Sequence, residues 1–293
     1  MKNSIKDGLL NLKVKIEEGR LYATLKGIST GYLNLDNETG GLRQGSFIVV
    51  GARPGMGKTI FSINLMLQIA KQKDVPVHFF SLENDENYFL DRLVGIDSGI
   101  PVSLVEKRKL TSKQKERCHN SINKLKDLSI CFNQCKPNVK ELENLIEGAI
   151  SLNDVKVIFI DNLHQVIASA ENRKKDVVNN TASMLKAVAI KHKVCIVATS
   201  EVSRDVEYRG GDNRPILSDL RVSGSIEQEA DLVTFLYRPD YYGFVENPDG
   251  SQCANQGELI IAKNRYGKLS NCWFNFNYDS LGFEEMDKPQ FWD

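Results

Sequence analysis

The sequence lacks net charge. Lysine plus arginine equals aspartate plus glutamate, 38 of each, so the formal charge at pH 7 is zero. A whole-molecule field that draws in a polyanion is excluded, and any nucleic-acid contact must come from a local basic surface. There is no apolar run of about 18 residues, which excludes a membrane-spanning helix. No basic start followed by an apolar stretch opens the chain, so no secretory signal is expected. The six cysteines, Cys118, Cys131, Cys135, Cys195, Cys253 and Cys272, show no C-x-x-C spacing. Cys118, His119, Cys131 and Cys135 fit no common zinc pattern, and reduced thiols in a cytoplasmic protein are the expected state. No internal repeat or low-complexity tract is present. What remains is 293 residues, 41% apolar and 26% charged, enough for one large core or a core with a short appendage.

The first 26 residues stand apart. Ile5, Leu9, Leu12 and Ile16 recur at helical spacing in a polar background, interrupted by Gly8 and Gly19. Such an amphipathic helix needs a partner surface, on its own domain or on a neighbouring subunit. Residues 27–46 read as a turn-rich approach to a first strand. From Phe47 onward the signals alternate. Strands are expected at "FIVVG", "VHFFSLE", "VKVIFIDN" and "VCIVATS", with helices near 58–72, 85–98, 112–126, 138–152 and 175–192. Near-continuous apolar strands between helices imply a parallel sheet covered on both faces, an α/β architecture. In the tail, "DLVTFLYR", "GELIIAK" and "CWFNFN" follow one another without helices and predict extra, partly antiparallel strands. The segment from Pro239 to Gly257 reads as an exposed loop or hairpin.

One strand–helix junction carries chemistry. "GARPGMGKT" places Ala52, Arg53, Pro54, Gly55, Met56, Gly57, Lys58 and Thr59 where a phosphate-binding loop would lie. Backbone N–H groups at a helix N-terminus point at phosphate oxygens, and glycines permit that approach. Lys58 neutralises β- and γ-phosphates and the Thr59 hydroxyl is a Mg²⁺ ligand. The strict pattern wants glycine where Ala52 stands; one methyl is tolerable there if φ is negative. Asp161, ending "VIFID", supplies the carboxylate a magnesium nucleotide site needs, and Glu83, ending "FFSLE", is placed to polarise a water. Three strand ends converging on one crevice is where parallel sheets bind ligands.

With these residues the chain resembles the C-terminal RecA-like ATPase domain of DnaB-type replicative helicases, from about Gly27 to Phe283. "GISTGYLNLDNETGGLRQGSFIVVGARPGMGKT", "FSLE", "VIFIDNLHQV", "LSDLRVSGSIEQEADLVTFLYR" and "IIAKNRYG" follow in family order, and alanine is common in the family at the first loop position. Residues 1–26 are expected to form an amphipathic linker helix, and the resemblance implies a RecA-like P-loop ATPase domain over 27–293. It implies ATP and Mg²⁺ as ligands, Glu83 as catalytic base, Arg92 reaching the phosphates, and Asp161 as the metal-side acid. Lys263 and Arg265 are implied to reach the adjacent subunit's site, where an arginine supplied in trans contributes about 10³–10⁵ in rate. That role requires head-to-tail interfaces, and a homo-hexameric ring is expected. Single-stranded DNA is the implied polymer, met by Arg204, Arg209 and Arg214 on one loop and by Arg221 and the backbone near Gly224 on another. Such phosphate contacts suit movement along any sequence. Primase and a loader are possible partners, and the expected location is the cytoplasm.

Three departures stand out. Glu201, in "SEV", occupies the place of a family glutamine that senses the γ-phosphate, and a carboxylate cannot donate an N–H there. Val222 replaces an acid in the second DNA loop. The family's N-terminal domain has no counterpart in the sequence. The leading expectation is a DNA helicase motor. The alternative is an ATP-binding loader, inhibitor or assembly partner that does not unwind. A RecA- or RadA-like recombination ATPase shares the core but not "DLRVSGSIEQEAD".

Overall fold

In a computed structural model the described residues are 25–168, 174–220, 224–247, 250 and 252–287. In chain order they form α1 (Leu33–Thr39), β1 (Phe47–Ala52), α2 (Lys58–Ala70), β2 (Val77–Ser81), α3 (Glu86–Ser98), α4 (Val102–Glu106), α5 (Ser112–Leu125), β3 (Ile130–Gln134), α6 (Val139–Asn153), β4 (Val157–Asp161), α7 (Lys174–His192), β5 (Cys195–Glu201), α8 (Asp205–Tyr208), α9 (Gly224–Glu229), β6 (Leu232–Tyr237), β7 (Gln256–Asn264), β8 (Ser270–Phe276) and β9 (Phe283–Met286). The nine strands make one sheet in the order β3-β2-β4-β5-β1-β6-β7-β8-β9. β3 to β6 in that order run parallel, and β7, β8 and β9 are antiparallel additions.

The strand period of two explains why both sheet faces are covered. In β1, Ile48, Val50 and Ala52 join a core with Phe61 and Met66 of α2. Phe47 and Val49 join the opposite core with Leu142 of α6 and Leu185 of α7. β4 splits in the same way, Val157 and Phe159 to the first core and Ile158 and Ile160 to the second. α2 is buried nearly all round, and its Phe61 meets Phe274 of β8 and Phe283 of β9 edge-on at 5.8 and 5.4 Å. Those contacts fasten the antiparallel strands to the helix that carries the phosphate loop.

The helix ends follow capping chemistry. Asn138 and Glu141 exchange hydrogen bonds at the start of α6, as Thr111 and Gln114 do at α5. The expected strands and long helices are present. Six elements were not anticipated: α1 lies inside the turn-rich approach, α4, α8 and α9 are short helices within connections, and β3 and β9 are the two sheet edges. The tail is mixed as expected, β6 pairing parallel with β1 before the direction reverses. The amphipathic segment of Ile5, Leu9, Leu12 and Ile16 lies outside the described residues. Among the described residues no helix is long and apolar enough to cross a membrane.

His78 on β2 is buried, stacked on Phe80, with Nε2 2.8 Å from Asn133 Oδ1. Burial holds its pKa below the ordinary imidazole value. The unfolded chain therefore takes up a proton as pH falls through about 6.5 while the folded chain does not, and stability is lost over that interval. Chemical denaturation between pH 7.5 and 5.5 should show a steeper acid-side loss in the wild type than in His78→Gln. Equal slopes in the two proteins would remove His78 as the cause.

Candidate active site

β1 ends at Ala52 and α2 begins at Lys58, so the intervening loop lies at the carboxyl end of the central parallel strand. β5 and β6 flank β1, with β4, β2 and β3 beyond β5. The lateral direction of the chain reverses around β1, the position where open α/β sheets take ligands. Gly55 and Gly57 have φ of 79° and 104°, a left-handed backbone that glycine adopts freely. Ala52 is not among the positive-φ residues; it is extended, in register with Glu201. Its methyl is thus accommodated in strand geometry. The close approach falls one residue earlier, at Gly51, where a Cβ would stand 2.8 Å from the Phe235 ring. Arg53 and Met56 are buried, and Pro54 O accepts from Tyr241 Oη at 2.9 Å.

Lys58 Nζ lies 3.4 Å from Arg53 O. Burial lowers its pKa, while the carboxylates of Asp161, Glu201 and Glu83 favour its charged form. Thr59 Oγ1 donates to Asp161 Oδ2 at 2.6 Å, and Thr199 Oγ1 donates to Oδ1 at 2.5 Å. Burial pushes the Asp161 carboxyl up; the two hydroxyls and Lys58 pull it down. A hydroxyl and a carboxylate in contact, with further acids nearby, are hard oxygen donors in an electronegative crevice, which fits Mg²⁺. Glu83 accepts from Asn162 Nδ2 at 2.8 Å. Asn162 Oδ1 in turn takes the His164 amide at 2.9 Å, and His164 Nε2 is 3.1 Å from Ser200 Oγ. Asn162, Thr199 and His164 were not singled out in the sequence, although Asn162 and His164 follow Asp161 directly in "IDNLH".

Other expected residues are placed differently. Arg92 stacks on Tyr88 and donates to Tyr88 O at 3.1 Å and Glu106 at 2.9 Å, while its buried Nε has no partner among the described residues. Lys263 Nζ donates to Glu227 O at 2.6 Å, and Arg265 Nη1 to Asp231 Oδ1 at 3.0 Å. Asp231 also accepts from the amide of Phe47, the first residue of β1. Lys263 and Arg265 therefore sit at the opposite end of β1 from the phosphate loop, five residues or roughly 17 Å away. They cannot serve their own loop.

Of the expected DNA contacts, Arg204 is exposed. Arg209 pairs with Asp219 at 2.7 Å. Arg214 departs from the expectation that it faces a polymer. It pairs with the fully buried Glu258 at 2.8 Å, pairs with Asp212, and stacks over Tyr237, so its charge satisfies the fold. Gly224 opens α9 with open space around it. Arg221 and Val222 lie outside the described residues. Tyr208, not anticipated, is 84% exposed on the same segment as Arg204.

The family model described as DnaB-like helicase C terminal domain matches residues 27–285. The chain belongs to this family. The DnaB-like assignment agrees with individual relatives. "Probable plasmid replicative DNA helicase" of Chlamydia psittaci is 34% identical over 258 residues, covering 86% of this chain and 54% of that protein. "Replicative DNA helicase DnaB" of Geobacillus stearothermophilus is 34% identical over 268 residues, covering 90% and 58%. The structure of the "ATPase Domain of G40P" superposes with a TM-score of 0.88 at 28% identity, covering 98% of this chain and 100% of that one. A DnaB-like replicative helicase, solved in a study of its interactions with primase, gives 0.87 at 28% identity, covering 97% and 69%. The chain spans little more than half the length of the curated relatives it matches.

Three carboxylates face Lys58 where an incoming triphosphate would add more negative charge. Glu201→Gln should therefore bind a magnesium nucleoside triphosphate about three- to tenfold more tightly, ~0.7–1.4 kcal/mol. Titration with a fluorescent analogue measures this, and unchanged or weaker binding would place Glu201 away from the phosphates.

Proposed function

We propose that this chain is the ATP-hydrolysing motor of a DNA helicase that moves on single-stranded DNA and unwinds duplex during replication. The observation that carries the reading is the contact between Thr59 and Asp161, which joins the phosphate loop to the acid of β4 with Glu83 held alongside by Asn162. Lys58 and the loop amides bind the β- and γ-phosphates. Thr59 and Asp161 would hold Mg²⁺, which neutralises phosphate charge when bound. Glu83, oriented by Asn162, directs a water at the γ-phosphate and takes its proton. For Arg92 to reach the phosphates it would have to leave the Tyr88 ring and Glu106.

The position of Lys263 and Arg265 supports completion of the site in trans. Their distance from the chain's own loop, and the 58% exposure of the Arg265 side chain, suit delivery to the next protomer of a homo-hexameric ring. Single-stranded DNA is met by the segment around Arg204 and Arg209 and by the backbone at Gly224, with Arg221 as a further contact. The proposed setting is the cytoplasm, with primase and a loader as replication partners. Glu201 favours one second reading, an ATP-gated loader, inhibitor or assembly partner that binds nucleotide without unwinding; strand-displacement assays beside nucleotide-binding assays separate the two.

ATP turnover should rise on addition of single-stranded DNA and vanish in Lys58→Ala. Arg265→Ala should keep nucleotide binding and lose about 10³-fold in turnover. Mixing the two inactive variants should restore part of the activity, since a Lys58 from one protomer and an Arg265 from another complete some sites. No recovery in co-assembled protein would defeat action in trans, and turnover indifferent to DNA would defeat the motor.

A further inference from the structure

The segment between β5 and α9 leaves the sheet beside the phosphate loop and is closed at its base. Val202 bridges Leu220, and the Ser203 amide donates to Asp219 O at 2.7 Å. Beyond that neck lie α8, Arg204, the exposed Tyr208, and Gly210 and Gly211, the stretch read above as a DNA contact. α8 also faces inward. Its Glu207 accepts from Arg53 Nε at 2.8 Å, while Arg53 Nη1 donates to Val202 O at 2.9 Å. Arg53 is a phosphate-loop residue with its side chain 7% exposed; the Glu207 side chain is 36% exposed. The main chain of Arg53 is tied to the cradle as well, its carbonyl accepting from the Met56 amide at 3.2 Å and facing Lys58 Nζ at 3.4 Å.

A continuous path therefore runs from an exposed loop, through one ion pair, to the lysine that meets phosphate. If α8 moves, Glu207 leaves a buried guanidinium without its carboxylate, a state costly enough that the arginine must shift with it. Shifting Arg53 displaces the carbonyl beside Lys58. We propose that Glu207 is a positioning residue that transmits occupancy of the 204–216 segment by single-stranded DNA to the phosphate loop through Arg53. This rests on the DNA reading given above and adds the element that links the two sites. Linkage requires the effect to be reciprocal: DNA must change nucleotide affinity by the same factor by which nucleotide changes DNA affinity.

The test uses the full chain, a non-hydrolysable ATP analogue and oligo-dT. The coupling factor is the ratio of oligo-dT dissociation constants without and with the analogue. Wild type should show a factor well above one, and Glu207→Gln a factor near one, because Arg53 then lacks its carboxylate in every DNA state and the phosphate loop no longer responds to DNA. Arg53→Gln combined with Glu207→Gln should lower the coupling factor no further than Glu207→Gln alone, because both break one link. A Glu207→Gln protein with the wild-type factor, or one that loses stability and nucleotide affinity while the factor persists, overturns the proposal and assigns the pair a structural role. Additive losses in the double variant overturn it too. A wild type that binds no oligo-dT in any nucleotide state instead removes the DNA reading itself.

Discussion

A carboxylate taken out of water is tolerable only where hydrogen bonds or opposite charge replace the lost solvation. Asp161 is 1% exposed, and it is held by two hydroxyls, Thr59 from α2 and Thr199 from β5. The rest of the site depends on that arrangement. It fixes the first turn of α2 against the ends of β4 and β5, so the amides of the phosphate loop and the acid of β4 face the same space. Leu82 extends the register by donating its amide to Asp161 O at 2.7 Å, which brings Glu83 to the same rim. Asn162 then holds the Glu83 carboxylate. The sheet register brings the strand ends side by side, and the deep acid ties the first turn of α2 to them.

The sheet also separates the two halves of the proposed chemistry. The phosphate loop follows the last residue of β1, whereas Arg265 reaches Asp231 beside its first residue. A rigid strand with both faces packed cannot bring its ends together. Under the proposed reading, Lys263 near the end of β7 and Arg265 just after it would meet a phosphate only on another molecule. Asp231 keeps Arg265 in place meanwhile, since Lys186 and the Phe47 amide share its charge.

Much of this was legible in the sequence because it rests on apolar runs and on short-range spacing. "FIVVG", "VIFID" and "VCIVATS" are buried on both faces, so their composition announces central strands, and the acids Asp161 and Glu201 end two of them. α1 was hidden by the glycines around it, although its Asp36 binds Ser29 and Thr30 and helps shape that approach. β3 and β9 are edges, where one side of the ladder is unpaired and half-polar sequences such as "ICFNQ" suffice. Long-range pairing was the least legible. Nothing in the spacing of Arg214 and Glu258 announces that the arginine neutralises a fully buried acid 44 residues away, and its setting in a polar loop pointed outward instead.

That internal use of cations bears on how a chain of zero net charge would hold a polyanion. Arg214 is spent on Glu258, and Arg209 is shared with Asp219. Two of the three arginines expected on the 204–216 segment are thus paired within the fold, and under the proposed reading backbone amides such as that of Gly224 would share the contact with DNA. Each protomer's grip would then be weak and carry little sequence information. A ring in which several such contacts act on one strand turns weak individual binding into a firm hold through effective concentration. A single protomer's contact can then be released at each hydrolysis without losing the strand. In the proposed ring, weak grip and completion of the site by a neighbour would go together, because both would require the strand and the nucleotide to be read by copies acting in sequence.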